Sequence, residues 1–117
     1  MARLGDVLRS LAARDGVQAA LLLSGEGLPI EHAATGPFEP ETVAALAATL
    51  AQYGTRFGDG TARGELTTAV LEFAGGTVVL ARAGAEDWLA VLARAGADIG
   101  PLLYDLRQHR PALVGLL

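Results

Sequence analysis

The side chains that could do chemistry are few and scattered. His32 and His109 are the two histidines, and neither is followed by a further ligand at i+3 or i+4, the spacing that places two metal ligands on one helix face. Both read as surface residues. Ser10 and Ser24 are the only serines, and neither sits in a nucleophile elbow. The carboxylate pairs Glu39/Glu41 and Glu86/Asp87 could resemble acid–base couples. The first, however, falls at a helix start, where the dipole favours negative charge, and the second in a turn. The glycine-rich stretch Gly54-Thr55-Arg56-Phe57-Gly58-Asp59-Gly60-Thr61 follows a predicted helix instead of opening one, so no ring of helix N–H groups faces a phosphate there. Arg56 and Arg63 flank it and could reach a nucleotide as an arginine finger, although an arginine late in a helix is ordinarily solvated or set against the dipole.

Composition narrows the classes further. There is no cysteine, which removes thiol nucleophiles, disulfides and cysteine-ligated zinc and fits a reducing compartment. All 9 basic residues are arginine, so a Schiff-base lysine and the lysine of a P-loop are impossible. The net charge of −4, with the arginines dispersed, argues against nucleic acid and against anionic membrane surfaces. No apolar run reaches the roughly 18 residues that span a bilayer, and Asp6 and Asp15 interrupt the N-terminal stretch where a signal peptide would be apolar. The expected location is cytoplasmic. With 117 residues, 51% hydrophobic and only 5% aromatic, residues 1–117 are expected to form one domain with an aliphatic core.

The elements follow from periodicity and turn chemistry. Leu4, Val7, Leu8 and Leu11 recur at i, i+3, i+4 and i+7, which predicts an amphipathic helix over residues 3–14 stopped by Gly16. Residues 17–24 are a nearly continuous apolar run of strand length. Ser24-Gly25-Glu26-Gly27 turns the chain into a second strand, residues 28–34, whose Pro29 confines it to a sheet edge. Residues 65–73, 77–83 and 88–93 read as three further strands separated by Ala74-Gly75-Gly76 and Gly84-Ala85-Glu86-Asp87. Asp98 caps a last helix, which Pro111 is expected to stop, and residues 112–117 are apolar enough to fold back or to cover a partner. The order αββαβββα, with five antiparallel strands and helices gathered against them, is an α+β domain.

Residues 39–58 organise the rest. Pro40 suits the first helical position, Phe38 can staple onto Val43, and Gly58, Gly60 and Gly64 are expected to break the helix. Val43, Leu46, Leu50 and Phe57 form a large apolar stripe with Tyr53 beside it. Ala44, Ala48, Ala51 and Thr55 form a second, small-residue stripe. The expectation is that the large stripe packs on the chain's own sheet and the flat alanine stripe takes another backbone, though alanine is also simply the best helix former.

The Gly16-Val17 entry into the first strand, the hairpin Ser24-Gly25-Glu26-Gly27-Leu28-Pro29-Ile30, the alanine-rich central helix and the start Ile99-Gly100-Pro101-Leu102 together resemble the roadblock (dynein light-chain) family, including its bacterial, MglB-like branch. The resemblance spans essentially the whole chain. It implies a profilin-like fold and a non-enzymatic homodimer without cofactor, in which central helices pair and third strands join two sheets. It also implies a partner, a small Ras-like GTPase, with an activating or a scaffolding role. On this basis Ala44, Ala48, Ala51, Thr55, Leu66, Thr68 and Val70 are expected at the dimer interface. Glu41, Ala45, Thr49, Gln52 and Arg56 are expected to dock the GTPase. The sequence departs from MglB in lacking an extra C-terminal segment beyond Leu117, which puts the activating role in doubt and leaves scaffolding open. Two other classes stay open: a structural dimerisation adaptor without effect on nucleotide turnover, and a small-molecule sensor on a profilin- or PAS-like fold.

Overall fold

Val17–Ser24 is apolar on both sides of its backbone, and it forms an inner strand covered on both faces. The structure, a computed structural model, describes residues 3–116, with side chains through residue 108. In chain order the elements are α1 (Leu4–Ala12), β1 (Val17–Ser24), β2 (Pro29–Ala34), α2 (Pro40–Gly60), β3 (Thr68–Phe73), β4 (Gly76–Arg82), β5 (Asp87–Arg94) and α3 (Gly100–Leu116). The five strands make one antiparallel sheet in the order β2-β1-β5-β4-β3. No helix among the described residues is long and apolar enough to cross a membrane.

Two cores lie on the two faces of this sheet. On one, Leu8 and Leu11 of α1 and Leu102 and Leu106 of α3 pack over Leu22, Val79, Leu89 and Val91. Arg14 ties these helices together, its guanidinium donating to the Asp105 carboxylate at 2.7 Å. On the other face, α2 alone covers Leu21, Leu23, Leu80, Trp88 and Ala90. A sheet of five strands is about 24 Å wide and a helix about 10 Å across, so two helices cover a face that a single helix does not.

The structure corrects the sequence at α2. Its small residues, not its large ones, meet the sheet: Ala44 is 0% exposed, and Ala47, Ala48 and Ala51 are buried with it. The reason is complementary volume. The strands already supply Leu21, Leu23, Leu80 and Trp88, so the helix settles close only where it presents methyl groups. Thr55, half-buried, turns its hydroxyl back to the Ala51 carbonyl at 2.8 Å. The hairpin after β1 closes on the same flank. Gly27, at φ +93°, places its Cα so that a Cβ would stand 3.4 Å from both the Ala45 Cα and the Ala48 Cβ.

Three boundaries also differ from expectation. α2 runs through Gly54 and Gly58 to Gly60, because the returning loop packs against those glycines: a Cβ at Gly58 would collide with the Gly64 carbonyl, and one at Gly54 with the Leu66 side chain. The helix then ends on a pair of backbone bonds, Arg63 N–H to the Gly58 carbonyl at 2.8 Å and Ala62 N–H to the Asp59 carbonyl at 3.2 Å. β3 begins at Thr68, so Leu66 belongs to that loop and packs beneath α2. α3 continues through Pro111 to Leu116; a proline removes one N–H bond and bends a helix without necessarily ending it. What residues 112–117 pack against, like the side chain of His109, lies outside the described side chains, which end at residue 108.

Candidate functional site

Three faces of α2 serve three surroundings. The alanine face is closed by the sheet. About a third of a turn away, Leu46, Leu50, Tyr53 and Phe57 stand exposed, Leu46 at 61% and Phe57 at 74%. Their spacing of four, three and four residues is the seam by which one helix packs along another. The remaining face carries Glu41, Ala45, Thr49, Gln52 and Arg56, all exposed. It runs beside Gly27 and the hairpin tip, where Leu28 is also exposed. Arg56 lies over the ring of Tyr53 at 5.4 Å from its centroid, so this arginine is held along its own helix.

The large apolar face of α2 looks toward β3, and β3 is an open sheet edge. Arg82 N–H donates to the Thr67 carbonyl at 2.9 Å, and Thr68 pairs with Ala81. Alternation from that bond turns Ala69, Leu71 and Phe73 toward β4 for hydrogen bonding and leaves the backbone groups of Val70 and Glu72 pointing off the edge. The side chains of Leu71 and Phe73 rise on the α2 side. There they join Val43, Leu46, Leu50 and Leu92 around an apolar cavity of about 190 Å³. A larger groove of about 620 Å³ continues it past Leu50 and Phe57 along Leu66 and Ala69. The opposite edge, β2, is guarded by Pro29, by a shift of register between Leu22 and Leu23, and by Glu31.

Groups that could do acid–base or nucleophilic work do not converge. Exposed His32 lies against the Phe38 ring at 5.7 Å between centroids. Ser24 accepts the Leu28 N–H at 3.2 Å inside its turn. Glu39 receives the Thr42 hydroxyl at 3.3 Å at the head of α2. A polar cleft of about 630 Å³ at the end of the sheet is lined by Arg14, Asp15, Arg94 and Asp98. Its charges are engaged already: Arg14 with Asp105, Arg94 with Asp15 at 3.6 Å, and Asp98 capping the Gly100 N–H at 3.0 Å. Among the described residues no buried side chain is polar or charged, and no three of His, Asp and Glu gather as metal ligands.

The family model of the Roadblock/LC7 domain matches residues 3–93. The chain belongs to the Roadblock/LC7 family. Its fold is that of the Roadblock/LC7 domain from Streptomyces avermitilis, with a TM-score of 0.82 at 29% identity over 96% of this chain and 98% of that one. Myxococcus xanthus MglB superposes with a TM-score of 0.86 at 15% identity, covering 96% of this chain and 92% of that one. The gliding protein MglB of Thermus thermophilus gives 0.85 at 19% identity, covering 95% and 85%. At such identities the two MglB structures establish the shared fold alone. No curated protein matches the chain in sequence.

In this Roadblock/LC7 chain the site residues expected from sequence fall in different places. Ala44, Ala48 and Ala51 are covered by the chain's own sheet, so none of these three offers a surface to a partner, whereas Leu66 is half-buried beneath α2 and lines the groove beside it. Val70 is on the open edge, as is Thr68 at its start. The residues that sequence reasoning placed in the core, Leu46, Leu50, Tyr53 and Phe57, are the exposed ones. Phe73 joins them from β3. Their helical spacing was visible; what the pattern lacked was the volume already filled by β1, β4 and β5.

Proposed function

We propose that this Roadblock/LC7 protein is a non-enzymatic, cytoplasmic homodimer that binds and regulates a small Ras-like GTPase. One observation carries the reading: α2 leaves its four largest apolar side chains, Leu46, Leu50, Tyr53 and Phe57, exposed beside an unpaired strand. Exposed apolar surface of that extent is a protein-contact surface. A second copy related by a two-fold axis would cover α2 and the β3 edge together. The polar face of Glu41, Ala45, Thr49, Gln52 and Arg56 would remain outside that contact and is the docking surface for the GTPase. Arg56 lies beside its own Tyr53, 5.4 Å from the ring centroid, and the regulator would act by positioning the GTPase's own residues.

The test is to purify the protein, measure its solution mass, and titrate it into the small Ras-like GTPase encoded nearest to it, loaded with GTP. A dimer that binds and changes the hydrolysis rate supports the reading. A dimer that binds without changing turnover supports the adaptor role. A dimer without binding, or a monomer, overturns the proposal.

A further inference from the structure

We infer that the tip of the β1–β2 hairpin is the anchor of the GTPase contact: Leu28, with Ile30 near it and Glu26, Glu86 and Asp87 as its rim, enters an apolar pocket of the GTPase bordered by basic residues. This rests on the GTPase reading and names the chemistry that the partner surface must have. The docking face of α2 has no anchor of its own. Glu41, Ala45, Thr49, Gln52 and Arg56 are small or polar, whereas the energy of a protein contact concentrates in a few large, well-fitted side chains. The hairpin tip supplies one beside them. Gly27 packs on α2 at Ala45 and Ala48, which sets Leu28 at the border of that face. Leu28 is 62% exposed and Ile30 48%. The turn itself requires glycine and serine chemistry and no leucine. The backbone that presents Leu28 is held at both ends: the Ser24 N–H donates to the Leu28 carbonyl and the Gly27 N–H to the Ser24 carbonyl, each at 2.9 Å. A side chain on so fixed a turn loses little freedom when it binds.

Position and charge select the occupant. The hairpin belongs to β2, four strand spacings or roughly 19 Å across the sheet from β3, so it lies outside a contact made by the β3 edge. Pro29 has no N–H, and the register shifts beside it, so the tip does not accept an added strand and engages a folded surface through side chains. The β4–β5 turn lies against this tip: a Cβ at Gly25 would stand 2.7 Å from the Glu86 carbonyl oxygen, and Asp87 pairs with Ser24. Glu26, Glu86 and Asp87 are thereby gathered around one end of the hairpin, and none of the three forms an ion pair. Arg82, from the strand entering that turn, is committed to the Trp88 ring and to the carbonyls of Leu66 and Ala85. Three carboxylates against one engaged cation leave the rim negative, which favours a basic border on the partner and speeds its approach.

The test measures binding of the wild type and two variants to the Ras-like GTPase encoded nearest to the protein, loaded with GTP, at low and at high salt. Leu28→Ala should weaken binding about tenfold, chiefly through faster dissociation, while the thermal midpoint and solution mass of the protein alone stay as they were. The second variant carries Glu26→Gln and Glu86→Gln together. It should associate several-fold more slowly than the wild type at low salt, and the two should converge at high salt, where the rim is screened. This variant leaves the turn glycines and Leu28 in place, so it reads the rim independently of the anchor. A Leu28→Ala protein that binds as tightly as the wild type overturns the anchor and leaves the GTPase reading intact. A salt dependence unaltered by the loss of both charges overturns the basic border. A wild-type protein that does not bind the GTPase overturns this inference and that reading together.

Discussion

Arg82 lies over the indole of Trp88, its guanidinium carbon 4.5 Å from the ring centroid. Its Nε donates to the Leu66 carbonyl at 3.0 Å and one terminal nitrogen donates to the Ala85 carbonyl at 3.1 Å. One side chain thus joins the loop entering β3, the turn leaving β4, and the ring that anchors α2. Only a planar fork with several donors can do all three. Arg82→Lys keeps the charge and loses the fork, so we expect a loss of about 1 kcal/mol of stability, and Arg82→Ala about 2 kcal/mol. Urea denaturation of the three proteins checks this; equal midpoints for all three would contradict it.

The two faces of α2 predict opposite outcomes for the same kind of substitution. Ala48→Arg forces a long cation against the sheet and should destabilise the subunit itself by ~3–5 kcal/mol. Tyr53→Arg sits on the exposed face and should leave the helical circular-dichroism spectrum intact while the solution mass falls to that of one chain. A folded Ala48→Arg protein with normal stability would mean that the alanine face is not the buried one.

Ala62 occupies a position that favours glycine. Its φ of 57° is left-handed, at the residue where helices commonly end on glycine. Ala62→Gly relieves that strain, and the gain exceeds the entropy of a freer unfolded chain; we expect about 0.5–1 kcal/mol of added stability. Thermal unfolding measures it, and a lowered midpoint would contradict the assignment.

Proline separates the two sides of β3. The Val70 N–H points off the sheet, so Val70→Pro should fold and pair with β4 but lose self-association. Leu71 bonds across to Val78, so Leu71→Pro should lose the fold. Solution mass and circular dichroism together distinguish the cases, and a Val70→Pro dimer would contradict edge pairing.

Much of this was legible in the residues. Element order, the guarded β2 edge at Pro29 and the cap at Asp98 each depend on local chemistry: a missing N–H, a turn, a side-chain acceptor. The orientation of α2 was not legible, because its hydrophobic pattern has two stripes and either could face inward. Trp88, Leu21, Leu23 and Leu80 decide it from three other strands, and their bulk is invisible to a window read along the helix. The end of α2 escapes such a window for a related reason. Gly54 and Gly58 look like helix breakers, yet they are the places where residues 64–66 come close enough to touch the helix backbone.

Pro29 and the irregular register beside it have an effect beyond their own strand. A protein with two equal sticky margins would polymerise, each added molecule exposing a fresh one. Here one margin is blunted, and in the proposed homodimer, pairing the other about a symmetry axis would consume it on both molecules at once. Growth would then stop at two, so the same feature that limits β2 to a modest hairpin arm would guard the protein against becoming a fibre.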